Sequence, residues 1–518
     1  MNMSKKFYLT TAIPYVNARP HLGFAQEIIL ADVLARWHRL INDRVFFLTG
    51  ADENSLKNVL AAEQAGMTVQ QLCQKNAQTF IDLKKILNLS FDNFIHTSDK
   101  KKHFPGAQQI WRLCKKRGDI YKKKYRGLYC VGCESFYTED ELVDGLCPEH
   151  HTKPELIEEE NYFFRLSNYQ QQLKELISSD KLKVVPAKRK KEALIFIDNG
   201  LQDFSISRSQ QRAHGWGIPV PDDPKQVIYV WFDALINYLT GIGYSWDQSQ
   251  FKQWWPANLH IIGKGIARFH IIYWPAMLLS AGLSLPKSIL VHDYITIDGQ
   301  KISKSLDNVI NPQELTKKYG VDPLRYYLIK EIPTFSDGDF NEEHFREVYQ
   351  SDLANGLGNL VSRVLAMTEK YFAGQIPTVS RKEQKMVKLE EQTIEEIVDH
   401  TWQELENYLI DSLSLDRALK EINRLIKQLD IYIQKWQPFK LITTDQRKVA
   451  IILYNLLEAI GQLALMLLPF MPKTASSILE YLGINLSEAN NLAKFIHWGN
   501  LPLKTKIYKG RNLFPRLN

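Results

Sequence analysis

The sequence predicts an α/β fold: a parallel sheet with crossover helices, interrupted by a small cysteine-bearing insertion and followed by an all-α bundle. Three observations predict it. Strand-like apolar runs alternate with helical periodicity from Lys6 to Leu87, and strand-like runs return from Val227 to His292; that rhythm builds strand–helix–strand crossovers. Between those stretches Cys130, Cys133 and Cys147 cluster among short segments and glycines. After about Glu342 the strand signals vanish and long helical stretches take over.

Lys6 to Val16 reads as a buried strand and Gly23 to Leu40 as a helix, with Ile29, Val33, Trp37 and Leu40 at helical spacing. Arg44 to Leu48 is a second strand, and Val59 to Ala65 and Val69 to Leu87 are helices. Near Lys115 the pattern changes, and Gly127, Gly132 and Gly145 mark an insertion around the cysteines. Val227 to Trp231, His260 to Gly263 and Ser288 to His292 read as further strands. Helical stretches then run over Glu342–Phe372, Lys385–Trp436 and Thr444–Leu468; the middle one must break, and Leu413-Ser414-Leu415-Asp416 offers a helix start capped by Ser414 or Asp416.

With 518 residues the chain is too long for one ordinary core, so two to four domains are expected. The net charge of +7 permits a nucleic-acid partner without requiring one. The basic runs Lys122–Lys124 and Lys188–Lys191 read equally as a solvated face or an RNA-contacting patch. Met1 to Lys6 leads straight into a strand, with no targeting signal. Val449 to Met471 is apolar enough to suggest a membrane span, but Asn455, Glu458 and Gln462 fall on one helical stripe, which predicts a bundle helix with a polar edge. A cytoplasmic protein with no membrane association is expected. Five cysteines, an odd number, argue against a disulfide framework.

Two motifs carry phosphate chemistry. In Pro20-His21-Leu22-Gly23-Phe24, Gly23 leaves room for a base and ribose against backbone, the helix start offers free amides to an anion, and His21 can donate to a phosphate oxygen. In Asp298-Gly299-Gln300-Lys301-Ile302-Ser303-Lys304-Ser305, Lys301 and Lys304 on a glycine-hinged loop can converge on one pyrophosphate. Together they predict an ATP site. A third pattern, C-x2-C-x13-C-x2-H over Cys130, Cys133, Cys147 and His150, has the spacing of a closed structural zinc site; His151 is an alternative ligand.

In this order, at the right ends of an α/β domain, the two phosphate motifs resemble those of the class I aminoacyl-tRNA synthetases. The likeness is to the methionyl-tRNA synthetase family over nearly the whole chain. It includes Ala12-Ile13-Pro14-Tyr15-Val16-Asn17, Gly217-Ile218-Pro219-Val220-Pro221, Tyr229-Val230-Trp231-Phe232-Asp233-Ala234 and Leu513-Phe514-Pro515-Arg516. The resemblance implies a Rossmann-like catalytic domain in two halves (1–115 and 196–290) around a connective insertion with a zinc knuckle (116–195). A KISKS loop and stem-contact region (291–341), a helical anticodon-binding domain (342–505) and a tail (506–518) would follow. It implies activation of L-methionine by ATP with Mg2+, then transfer to the terminal adenosine of tRNA(Met).

The resemblance also assigns residues. ATP would meet Gly23, Phe24, Gly263, Lys264, Ser303 and Lys304, with His21, Lys301 and Lys304 catalytic. Methionine would lie among Ile13, Tyr15, Trp231, Ala234, Leu235, Tyr238, Phe269 and His270, with Asp52 on its ammonium and Arg208 assisting placement; such a lining suits a thioether. In the bundle, Asn359 and Arg363 would reach unstacked anticodon bases, and Phe439 or Trp436 would stack on one. The chain ends soon after the bundle, without the appended module through which family members dimerise, so a monomer is expected.

Three departures from the family pattern stand out. Phe24 replaces a second histidine, Gly265 stands where an acid usually follows Gly-Lys, and Ala51-Asp52-Glu53-Asn54-Ser55 lacks the usual His-Gly at its last two positions. Leucine, isoleucine and valine enzymes carry a much larger editing insertion, and a cysteine enzyme would need a metal at the substrate thiol. The intact bundle argues against activation for a small-molecule acceptor. A non-catalytic RNA-binding descendant is opposed by His21 and the lysine loop and kept open by Phe24 and Gly265.

Overall fold

The computed structural model describes residues 5–130, 135–137, 139–148, 151–302, 308–484, 495–501, 506–508 and 510–517. Its centre is a six-stranded sheet formed by β1 (Lys6–Thr11), β2 (Arg44–Ala51), β3 (Asn93–His96), β4 (Lys183–Val185), β5 (Leu259–Gly263) and β6 (Ser288–His292). The order is β3-β2-β1-β5-β6-β4, and every pairing is parallel. Strand order reverses between β1 and β5, so a crevice opens beyond their carboxyl ends, where ligands of doubly wound sheets bind.

β1 ends at Thr11, sooner than its apolar run suggested. The Ala12 amide still donates to Ile261 O at 3.0 Å, but Pro14 has no N–H and the chain leaves the sheet, bridging back where Tyr15 pairs with Asp52. The helix α1 (Leu22–Leu40) follows and is buried on nearly every side. Its middle is locked by an ion pair: Asp32 and Arg325 are fully buried 2.8 Å apart. The Arg325 guanidinium also donates to the carbonyls of Phe470 and Pro469, both at 2.8 Å, tying α1 to the bundle.

The insertion is built on two long antiparallel strands, Ile120–Cys130 and Glu155–Phe164, joined by Ser135–Tyr137 and Phe204–Ser205 in a four-stranded sheet. β4, within the span expected for the insertion, already belongs to the central sheet.

The segment Val227–Trp231 departs from its expected place in the parallel rhythm. Asp223–Ile228 is a strand, but it pairs antiparallel with Ser207–Ser209 and Pro219–Val220 in a separate three-stranded sheet. Val230–Leu235 is helical, with Phe232, Asp233, Ala234 and Leu235 buried. A short apolar run reads alike as strand or buried helix, and only tertiary packing separates them.

The C-terminal region is helical, as expected, with breaks of its own. Glu342–Val348 continues as a wider π-helix over Tyr349–Gly358 into Asn359–Phe372, so this stretch is helical throughout. The middle stretch begins late, at Ile394, behind a Thr393–Glu396 capping box. It breaks at Leu413, whose φ is +53°, and resumes as Leu415–Trp436 with Ser414 at the cap position and Asp416 in the first turn. Gln446–Leu467 is the one helix among the described residues long and apolar enough to cross a membrane, and its apolar window is wholly buried. Its polar stripe is bonded inside: Asn455 donates to Gln384 O at 3.0 Å, Glu458 accepts from the amides of Gly499 and Leu501, and Gln462 accepts from the Trp402 indole at 3.0 Å; only Asn455 Oδ1 of these groups lacks a partner among the described residues.

Candidate active site

A cavity of about 410 Å3 fills the crevice. Residues 12–15 after β1, Asp52 after β2, Gly263, Gly265 and Ile266 after β5, and residues 292–295 after β6 form its walls with the start of α1. The expected His21, Gly23, Phe24, Ile13, Tyr15, Asp52, Trp231, Ala234, Leu235, Tyr238, Gly263 and His270 all line it.

His21 caps α1. Its Nδ1 accepts from the Gly23 amide at 3.1 Å, which leaves Nε2 to carry the ring proton, and burial lowers its pKa so the ring is neutral at pH 7. Gly23 permits this fold-back: a Cβ there would stand 3.0 Å from His21 Cε1 and 3.7 Å from Ile302 Cδ1. Ile302 therefore brings the approach to the lysine loop against the histidine motif. Ser303 and Lys304 lie outside the described residues, as does the side chain of Lys301.

The far end is lined mainly by aromatic rings and a neutral imidazole. Tyr238 OH donates to His270 Nε2 at 2.7 Å, and His270 Nδ1 donates to Ile266 O at 2.9 Å. Burial holds the His270 pKa at about 4, so this imidazole stays neutral. Tyr15 meets the Trp231 ring edge-on at 6.3 Å. Asp52, 2% exposed, supplies the carboxylate at this wall. An aromatic end with the Asp52 carboxylate beside it and a helix start with a neutral donor suit an amino acid placed against a phosphate.

Residues 7–154 and 150–365 match the family described as tRNA synthetases class I (M). The methionine–tRNA ligase of Thermotoga maritima is 42% identical over 99% of this chain and 80% of its own length. That of Rhizobium meliloti is 38% identical over 100% of this chain and 99% of its own. The chain belongs to the methionine–tRNA ligases, ATP-dependent enzymes of class I. The Mycobacterium tuberculosis methionyl-tRNA synthetase in complex with methionyl-adenylate superposes with a TM-score of 0.92 at 37% identity, covering 99% of this chain and 100% of that one. The free-state form of that enzyme gives 0.86 at 35% identity, over 99% of each chain.

Three residues expected at the methionine–tRNA ligase substrates stand outside the main cavity. Phe269 lies behind Trp231, stacked on it at 3.9 Å and 5°. Lys264 faces the neighbouring cleft, its Nζ 2.5 Å from Asp337. Arg208 is buried against the Tyr229 ring, 4.1 Å away, and donates to Ser205 Oγ and Ser207 O. It braces the chain entering the Trp231 helix, in a separate small cavity.

The departures acquire local explanations. Phe24 packs edge-on against Phe80 at 5.1 Å while lining the cavity. Asn54 donates to Asp233 Oδ2 at 2.9 Å, and Ser55 caps the helix Leu56–Gln64, so both replace the usual His-Gly with structural bonds. Sequence reasoning missed Gln26, Glu27, His292 and Asp293, all on the cavity wall. Glu27 accepts from the Ala12 amide and pairs with His292 Nε2, each at 2.9 Å. The available signal was two polar residues, Gln26-Glu27, inside an apolar helix.

A second cleft of about 530 Å3 adjoins the cavity, sharing Tyr15, Trp231, Gly265, Ile266 and Tyr294. Tyr137 and Pro148 of the insertion and the basic Lys57, Arg189, Lys264 and Arg268 line it. Of the expected zinc ligands, Cys130 and Cys147 are buried, and Cys133 and His150 lie outside the described residues. Thr152 joins the two: its Oγ1 lies 3.9 Å from Cys130 Sγ, and its carbonyl accepts from the Cys147 amide at 2.9 Å. Among the described residues no group of three metal-ligating side chains occurs. In the bundle, Asn359 is exposed beside the tail residues 510–516, and Arg363 pairs with Asp430 at 3.2 Å. The Trp436 indole donates to Lys388 O and is covered by Lys448, whereas Phe439 is 46% exposed.

Proposed function

We propose that the cavity adenylates methionine with ATP and Mg2+, and that the adjoining cleft admits the 3′ end of tRNA(Met) for the transfer. The observation that carries the reading is the meeting of His21, Gly23 and Ile302 at one end of a cavity whose other end is a neutral aromatic pocket. The methionine carboxylate attacks the α-phosphorus, the bond to the bridging oxygen breaks, and pyrophosphate leaves. His21 Nε2–H donates to a phosphate oxygen as charge builds there. Lys301 and Lys304 receive the leaving pyrophosphate. Mg2+ travels with ATP and neutralises its phosphates.

Asp52 holds the substrate ammonium, and Tyr15, Trp231, Tyr238 and His270 surround the thioether. Ala234 and Leu235 close the slot. In the second step a ribose hydroxyl of the tRNA terminal adenosine attacks the activated carbonyl and AMP leaves. Zn2+ would be held by Cys130, Cys133, Cys147 and His150 and would supply structure alone. The exposure of His151 on a left-handed backbone favours His150 as the fourth ligand. Phe439 is the ring that stacks on an anticodon base, supported by its exposure and by the covered face of Trp436.

Pyrophosphate exchange with each amino acid in turn, followed by charging of total tRNA, tests the reading. Methionine alone supports efficient exchange, and one tRNA family is charged. Exchange with another amino acid, or none, overturns it.

A further inference from the structure

The acid that the family carries after Gly-Lys is absent at Gly265, yet the cavity wall beside that position holds a carboxylate on the next strand. β5 and β6 are parallel neighbours in register, Gly263 opposite His292. The residues that follow therefore emerge side by side at the sheet's carboxyl edge. Asp293 is 4% exposed and lines the cavity together with Gly263 and Gly265. Its Oδ1 is held by the Arg189 guanidinium and stands 3.8 Å from Lys264 Nζ. Among the described residues Oδ2 has no hydrogen-bond partner.

Gly265 itself cannot regain an acid without further change. A Cβ built there would lie 2.0 Å from the Tyr294 hydroxyl. Tyr294 thus fills the room an acid at 265 would need, while its neighbour Asp293 brings a carboxylate to the same cavity from the adjacent strand.

We propose that Asp293 is the ribose-binding acid of this enzyme, moved from the β5 loop to the β6 loop and accepting hydrogen bonds from the ATP ribose hydroxyls. Arg189 and Lys264 offset the cost of burying the charge and fix Oδ1, leaving Oδ2 for the sugar. The proposal rests on the adenylation reading of the cavity.

The test is pyrophosphate exchange with methionine, using ATP, 2′-deoxy-ATP and 3′-deoxy-ATP. The parent enzyme prefers ATP over at least one deoxy analogue by about tenfold or more. Asp293→Asn raises the KM for ATP by a similar factor, leaves the KM for methionine within about twofold, and abolishes the preference. Adding Gly265→Asp with Tyr294→Phe to that variant restores the preference. If Asp293→Asn fails to fold because Arg189 is stranded, the pair Asp293→Asn/Arg189→Met takes its place in the same assay. An unchanged preference in the variant, or none in the parent, overturns the proposal. A parent that exchanges no pyrophosphate with methionine overturns the adenylation reading instead.

Discussion

His21 spends one ring nitrogen on its own helix, accepting the Gly23 amide, and so offers the cavity a neutral donor with a fixed tautomer. His21→Ala removes that donor, and pyrophosphate exchange falls about a hundredfold or more while methionine binding, followed by Trp231 fluorescence, persists. The buried imidazoles deeper in the domain set a second expectation. His103 and His270 are held at about 4 by burial, and His260 is also driven well down. For His103 and His270 the unfolded chain binds the proton near 6.5 and the native state only near 4, so unfolding takes up protons between those values. Stability is full above pH 6.5 and declines as pH falls toward 4, by about 1.4 kcal/mol per pH unit for each such ring. Urea midpoints from pH 7.5 to 5 measure the slope, and His270→Gln flattens it. His21 was legible in the sequence because its motif is local. Asp293 was not, because its meaning depends on a neighbour brought alongside by β5–β6 pairing.

At the scale of elements, α1 joins the two halves of the argument. Its first turn carries His21 and Gly23, and its middle carries Asp32, whose partner Arg325 reaches on to the bundle carbonyls. Burial alone would raise the Asp32 pKa, but Arg325, Arg36 and Ser90 outweigh it and hold the carboxyl low. Arg325→Met leaves that charge deficient in partners and costs about 3–5 kcal/mol in urea unfolding; Asp32→Leu in the same background recovers part of the loss. Helices of this length were readable from periodicity, and α1 starts within one residue of its expected position. The short run Val227–Trp231 was not readable, because its turn into a buried helix is fixed by tertiary contacts such as Asn54 to Asp233. The Asp32–Arg325 pair escaped notice because its members lie on elements far apart in the chain. In the insertion, Cys147→Ser removes a zinc ligand on our reading. Metal content, read by atomic absorption, falls below one per chain, and tRNA charging drops more than pyrophosphate exchange.

Across the whole molecule, the proposed reading gives the cavity and the bundle different steps, which makes them separable by experiment. Adenylation, on that reading, needs the crevice residues and the lysine loop but not the bundle. On the proposed reading, transfer uses tRNA seated on the basic cleft beside the cavity and on the bundle beyond. Phe439, exposed beyond the αL residue Gln437, is well placed for stacking, and base–aromatic stacking is worth about 1–3 kcal/mol. Phe439→Ala therefore lowers kcat/KM for charging tRNA(Met) by roughly 5- to 150-fold. It leaves methionine-dependent pyrophosphate exchange untouched, since no cavity wall involves that helix. Trp436→Ala is the control. Its indole donates to Lys388 O and its face carries Lys448, so its loss lowers the thermal midpoint more than it changes the KM for tRNA. If the two variants exchange these phenotypes, the ring that reads the anticodon is Trp436, and the helix Leu415–Trp436 must open its last turn to present it.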